Sequence, residues 1–209
     1  MGLSEAAWIL FVWGWAFVLG AVEIEIEGAH GWAERLPTWY RRRGPVATVY
    51  GWCMGGRPLT GYHVFAALVV LLPLHLPYFR GDPWSAGAEA HTVAVFLVLT
   101  VFADYLWFVL NPAYTVRRFR RGNVWWFRGP WLGPFPGEYI LGLGLSCLLV
   151  VASAHGALKP LYEHLEVVLG CAVLTVGAIA AAPLYHRWYR QMRRPGSDDR
   201  PITPIAPPP

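Results

Sequence analysis

Apolar residues run along this chain in five long stretches, at about 7–26, 59–79, 91–112, 137–155 and 162–186. Each is close to the roughly 20 residues that an α-helix needs to cross a bilayer. The pattern predicts an all-α integral membrane protein, a bundle of five transmembrane helices formed by residues 1–194. The end of the chain, PGSDDRPITPIAPPP, is proline-rich and has no apolar period. It is expected to be a disordered tail over 195–209. There is no internal repeat, which weighs against an inverted-repeat transporter.

The polar gaps between the stretches differ in charge. Counted from the N-terminus, the six segments outside the stretches hold 0, 5, 1, 5, 1 and 5 Lys or Arg residues. The basic groups are Arg35, Arg41, Arg42, Arg43 and Arg57, then Arg117, Arg118, Arg120, Arg121 and Arg128, then five in the tail region from Arg187 to Arg200. Basic residues favour the cytoplasmic side, so this alternation predicts the N-terminus outside and the C-terminus in the cytoplasm. Only 14% of the 209 residues are charged and 56% are hydrophobic. A soluble domain has about 25% charged residues, so the composition excludes one of any size. The net charge of +4 then reads as topology, with attraction to anionic cytoplasmic headgroups as its by-product. It does not point to a nucleic-acid partner. The localisation expected is multi-pass, in a cytoplasmic or inner membrane.

The two long connections, WAERLPTWYRRRG and YTVRRFRRGNVWWFRGPWLGPFP, mix Trp, Tyr and Arg. That mixture suits the headgroup layer, and both read as interfacial segments on the cytoplasmic side, with a substrate-gating lid as the sharper alternative. Stretches four and five are rich in small residues and read as helix-packing scaffold. Cys53, Cys147 and Cys171 make no disulfide framework or CxxC pair.

Candidate chemistry lies in polar residues at membrane depth, which are costly and tend to face the bundle interior. Asp104 is the foremost, and Thr100, Asp104 and Asn111 share a helix face. Glu23 and Glu27 are one turn apart at the end of the first stretch, and Glu27 with His30 has Glu-x-x-His spacing. His63 and His186 fall at the same depth by topology. Glu23, Glu27, His63, Asp104 and His186 together offer nitrogen and oxygen donors for a divalent metal, with Fe, Mn or Zn the suitable ions. In that reading Asp104, His63 and Glu27 are also the candidate acid–base groups.

On the other side, His75 sits between Pro73 and Pro77, and His91 begins the third stretch. His63 and His75 invite a haem reading with His186, His91 or His155 as facing ligands. Twelve residues turn a helix by about 120°, which disfavours a shared face. Three function classes follow. The first is a metal-dependent membrane enzyme acting on a lipid or other hydrophobic substrate. The second is a structural or assembly subunit of a membrane complex, and the third is a proton-coupled transporter or b-type haem protein.

Overall fold

The structure is a computed structural model that describes residues 3–154 and 157–193. His155 and the proline-rich tail lie outside the described residues. The described chain is mostly helical. Three helices are long and apolar enough to cross a membrane: α1 (Leu3–Glu27), α5 (Ala86–Leu110) and α8 (Leu158–Met192). Two of the predicted stretches form shorter apolar helices. One is α7 (Gly137–Ser153). The other is divided between α3 (Gly61–Leu74) and α4 (Leu76–Phe79). Pro73 and Pro77 flank that break, because neither supplies the N–H that would continue the ladder. The remaining helices, α2 (Pro45–Cys53) and α6 (Thr115–Arg118), lie in the two long connections.

Helix α5 is the centre of the bundle. It packs along α1 on one flank and α7 on another, with α8 against all three. Its buried residues, Val95, Val98, Leu99, Phe102, Ala103 and Leu106 among them, surround most of its circumference. Helix α1 buries only Ile9, Val12, Ala16, Gly20 and Ile24, a stripe at spacings of three and four. At Gly20 the two helices approach closely. A Cβ there would lie 2.9 Å from the Ala103 carbonyl oxygen and 3.1 Å from the Trp107 nitrogen. Outward positions such as Phe11, Val18, Leu72, Leu148 and Val173 are exposed. In lipid such residues gain nothing by turning inward, so close packing and interhelical hydrogen bonds hold the bundle. One such bond joins α1 to α8: the Trp13 indole donates to Thr175 Oγ1 at 3.0 Å, and Thr175 donates onward to Cys171 O at 2.7 Å.

The two long connections close one end. Strands β1 (Tyr40–Arg41) and β2 (Leu59–Thr60) pair antiparallel, as do β3 (Trp131–Leu132) and β4 (Phe135–Pro136). Gly28 ends α1 with a φ of 63°, a left-handed conformation that glycine adopts without strain. The aromatic rings expected as headgroup anchors divide into two groups. Trp39, Trp52 and Trp125 are exposed. Trp32, Phe119, Trp126 and Phe127 instead turn inward and pack with Trp107 and Tyr139. The Trp126 ring fills the space beside Gly31, so the first connection is locked to the second.

Candidate functional site

Under that aromatic cap is a cluster of titratable side chains supplied by most of the bundle. Helix α1 brings Glu23 and Glu27, α5 brings Asp104, and α7 brings Glu138 and Tyr139 at its first turn. Tyr62 comes from α3, Tyr50 from α2, and Arg57 from the segment that leads into β2. Glu23, Glu27 and Asp104 lie within mutual electrostatic reach. Asp104 also faces Arg57 and Glu138. Four carboxylates and one guanidinium therefore gather at this end of the bundle, and Asp104 and Glu138 are the two that face Arg57.

The Tyr139 hydroxyl donates a hydrogen bond to Asp104. Tyr62 approaches Glu23, although its hydroxyl does not meet ordinary hydrogen-bond geometry. The Arg57 side chain is 4% exposed and sits under the Trp32 ring at 4.0 Å and the Phe127 ring at 5.0 Å. Its Nε donates to Met54 O at 2.5 Å. Its Nη2 is 3.7 Å from Glu138 Oε1, an ion pair too long to be a hydrogen bond. Nη2 and both Glu138 carboxylate oxygens are buried without a hydrogen-bond partner. Burial pulls the Arg57 guanidinium below its usual range, against the pull of Asp104 and Glu138. Burial likewise pushes the Tyr50 phenol up.

Glu27 has a local task. Trp32 and Ala33 both adopt left-handed φ values, 56° and 52°, which costs a non-glycine residue about 1–2 kcal/mol. The Glu27 carboxylate accepts the Ala33 N–H at 2.5 Å, and the Tyr40 hydroxyl donates to Ala33 O at 2.5 Å. These two bonds brace the turn that presents Trp32 to Arg57 and to His63. His30 lies past the end of α1, 3.9 Å from Glu34, so the Glu-x-x-His spacing is not on a helix.

The other predicted residues have separate surroundings. His63 stacks on Trp32 with centroids 4.1 Å apart and shares a 2.6 Å hydrogen bond with Thr60 through Nδ1. The charged group facing it is Arg57. His186 Nε2 donates to Val109 O at 2.9 Å. His75, on the opposite side, has Leu71 O at 2.7 Å from Nδ1 and Glu89 Oε1 at 3.0 Å from Nε2, so acceptors face both nitrogens. His91 lies edge-on to His164 at 6.5 Å. The polar stripe of α5 separates into three uses. Thr100 bonds its own helix at Phe96 O, Asp104 meets Tyr139, and Asn111 ties Gly28 O to the end of α5 at 2.8 Å. Among the described residues, no three His, Cys, Asp or Glu side chains are arranged to hold a metal ion as they stand.

Arg57, Glu138, Tyr62 and Tyr139 escaped the sequence reading. In the sequence Arg57 reads as one of five basic residues of a connection, though it stands apart from Arg41–Arg43, between Gly55–Gly56 and Pro58 at the mouth of an apolar stretch. Glu138, at the start of another such stretch, resembles an ordinary acidic residue in the first turn of a helix.

A groove of about 510 Å³ runs between α1 and α3. Leu19, Val22, Ile26, Phe65, Ala66 and Val69 make it apolar, and Glu23 and Tyr62 also line it. Away from the cluster, the core between the two ends of the bundle is apolar, formed by Val12, Ala16, Val98, Leu99, Phe102 and Ala103. No known protein family matches the chain, nor does any curated protein or solved structure.

Proposed function

We propose that this chain is a five-span membrane protein, N-terminus outside and C-terminus cytoplasmic, that acts as a small membrane enzyme on an amphiphile. The substrate's apolar chain lies in the groove between α1 and α3, and its polar head meets Glu23 and Tyr62. Support for five spans comes from the basic-residue alternation. It also comes from the lengths of α7 and of α3 with α4, near the lower end of what a bilayer needs. The observation behind the functional reading is the groove itself, an apolar slot lined at one point by the half-buried Glu23 and by Tyr62.

The charge balance suggests the head's chemistry. Four carboxylates against one guanidinium leave an excess of three negative charges if all are ionised. Like charges this close repel one another where little water screens them, so the cluster would favour a head that donates hydrogen bonds or carries positive charge. Glu23 would exchange a proton with that head, and Asp104 with Tyr139 would hold the next. The apolar core beyond the cluster favours an enzyme over a transporter, which would need a polar path through it.

The same excess of carboxylates favours a second reading, in which a divalent cation draws Glu23, Glu27 and Asp104 together, with His63 at the rim and His186 further off. The side chains would have to close on the ion.

Extraction in native lipid discs followed by mass spectrometry tests the first reading. The wild type should retain an amphiphile enriched over the surrounding lipid, and Ala66→Trp, which fills the groove, should lose it. Recovery of bulk lipid alone, or equal retention by Ala66→Trp, would contradict it. Metal analysis of the same discs tests the second.

A further inference from the structure

The first long connection contains a short helix that is apolar on two sides. Helix α2, PVATVYGWC, has no charged residue. Its positions sort into two arcs at about 100° per residue. Ala47 and Tyr50, with Met54 just beyond the helix, turn toward the bundle; Ala47 is buried and the other two pack on the aromatic cap. Val46, Val49, Trp52 and Cys53 face the other way and are exposed, Trp52 at 85%. A helix that is apolar all round is normally covered all round.

The anchoring of α2 indicates what covers it. Strand β1 ends at Arg41 and pairs with β2, which begins at Leu59, so the segment that holds α2 leaves and returns at one point. Strand β2 runs directly into the apolar helix α3, and Trp39 lies against Gly61 at the first residue of that helix. Both ends of the excursion are therefore pinned at the mouth of α3, where an apolar helix meets the headgroup layer. Arg41, Arg42 and Arg43 lead into α2. All three are exposed, and among the described residues none makes an ion pair.

We infer that α2 docks on the cytoplasmic leaflet and binds anionic phospholipid there. Val46, Val49 and Trp52 enter the interface, and the three arginines reach the phosphates along their apolar stems. Free basic groups beside an apolar face match a surface that is negative and has an apolar interior. One face of a nine-residue helix is much smaller than the roughly 800 Å² per partner that a stable protein complex uses, which disfavours a protein as the cover. Arg57 Nε donates to Met54 O at 2.5 Å, so the leaflet that holds α2 also holds the guanidinium of the inner cluster. Only the side of the membrane rests on the topology proposed above.

Cys53 lies on the exposed face and Cys171 is buried, so a nitroxide can be attached to Cys53 in a Cys147→Ser background. The full chain is placed in discs of phosphatidylcholine, and in discs with about one-third phosphatidylglycerol, enough to mimic an anionic leaflet. Collisions of the nitroxide with oxygen, which enters lipid, are compared with those of a water-soluble nickel chelate. Discs present the same lipid on both faces, so the result is independent of topology. Oxygen should dominate in the anionic discs, with the oxygen-to-nickel ratio at least twofold higher than in phosphatidylcholine. Arg41→Gln/Arg42→Gln/Arg43→Gln changes exposed, unpaired side chains and should fold normally while abolishing that difference. Dominant nickel collisions in both discs, equal ratios in the two lipids, or an unchanged difference in the triple variant would overturn the inference. Protection from both reagents would overturn it in favour of a protein cover.

Discussion

Replacing Arg57 by Met should destabilise the protein more than any other single exposed or buried charge change. The guanidinium is almost wholly enclosed, and Glu138 beside it is 14% exposed. Breaking a buried pair by removing one partner costs about 3–5 kcal/mol, because the remaining charge has no compensation. Part of that figure is the stacking under Trp32 and Phe127, worth about 0.5–2 kcal/mol. For a chain of this size each kcal/mol moves the melting temperature by about 2–4 °C. Arg57→Met should therefore melt about 6–20 °C lower, followed by intrinsic fluorescence in nanodiscs. The pairing makes a sharper statement. Arg57→Met with Glu138→Gln removes both charges, and most of the loss should return, giving a coupling of more than about 1 kcal/mol between adjacent sites. A single variant that melts within 2 °C of the wild type, or a double variant whose losses simply add, would refute the claim that these two groups form a buried pair.

Other perturbations test other parts of the molecule. Gly20→Ala improves helix propensity by about 1 kcal/mol, yet its methyl would meet α5 backbone. It should lower the melting temperature, and a rise would mean that α1 and α5 are further apart. Tyr139→Phe removes the donor to Asp104 and should cost about 1–3 kcal/mol, with a shift in the Asp104 carboxyl stretch by infrared spectroscopy. An unshifted band would dissociate the two groups. Thr175→Val deprives the Trp13 indole of its acceptor and should cost about 0.5–1.5 kcal/mol, measured by thermal unfolding. Glu27→Ala should loosen the turn at Trp32–Ala33, seen as faster amide exchange at Ala33, while Glu27→Gln keeps an acceptor and stays near the wild type.

The helices were legible because spanning a bilayer imposes a long apolar run that no local detail can hide. The break at His75 was foreshadowed by its two prolines. Asp104 and Glu23 were legible for the complementary reason, that an acid at that depth needs an explanation. Their partners were not. Arg57 and Glu138 reach the cluster through loop and helix-start positions, where a charge usually faces water or a headgroup. Only the folding of both connections over the same end turns them inward. The surroundings of the histidines were not legible for a related cause. Depth along a helix says nothing about rotation around it. His186 therefore meets a backbone carbonyl and His63 an indole, at the depth where carboxylates were expected to join them.

The cluster under the aromatic cap is either a working site or a structural knot, and Glu23→Gln separates the two. A working site holds an excess of buried carboxylates at a cost to stability. Neutralising one should leave the melting temperature unchanged or raise it by a few degrees, while the retained amphiphile is lost from native discs. Measuring both quantities on that one variant is the direct test. A lower melting temperature with the amphiphile still bound would show that Glu23 holds the fold together and serves no substrate.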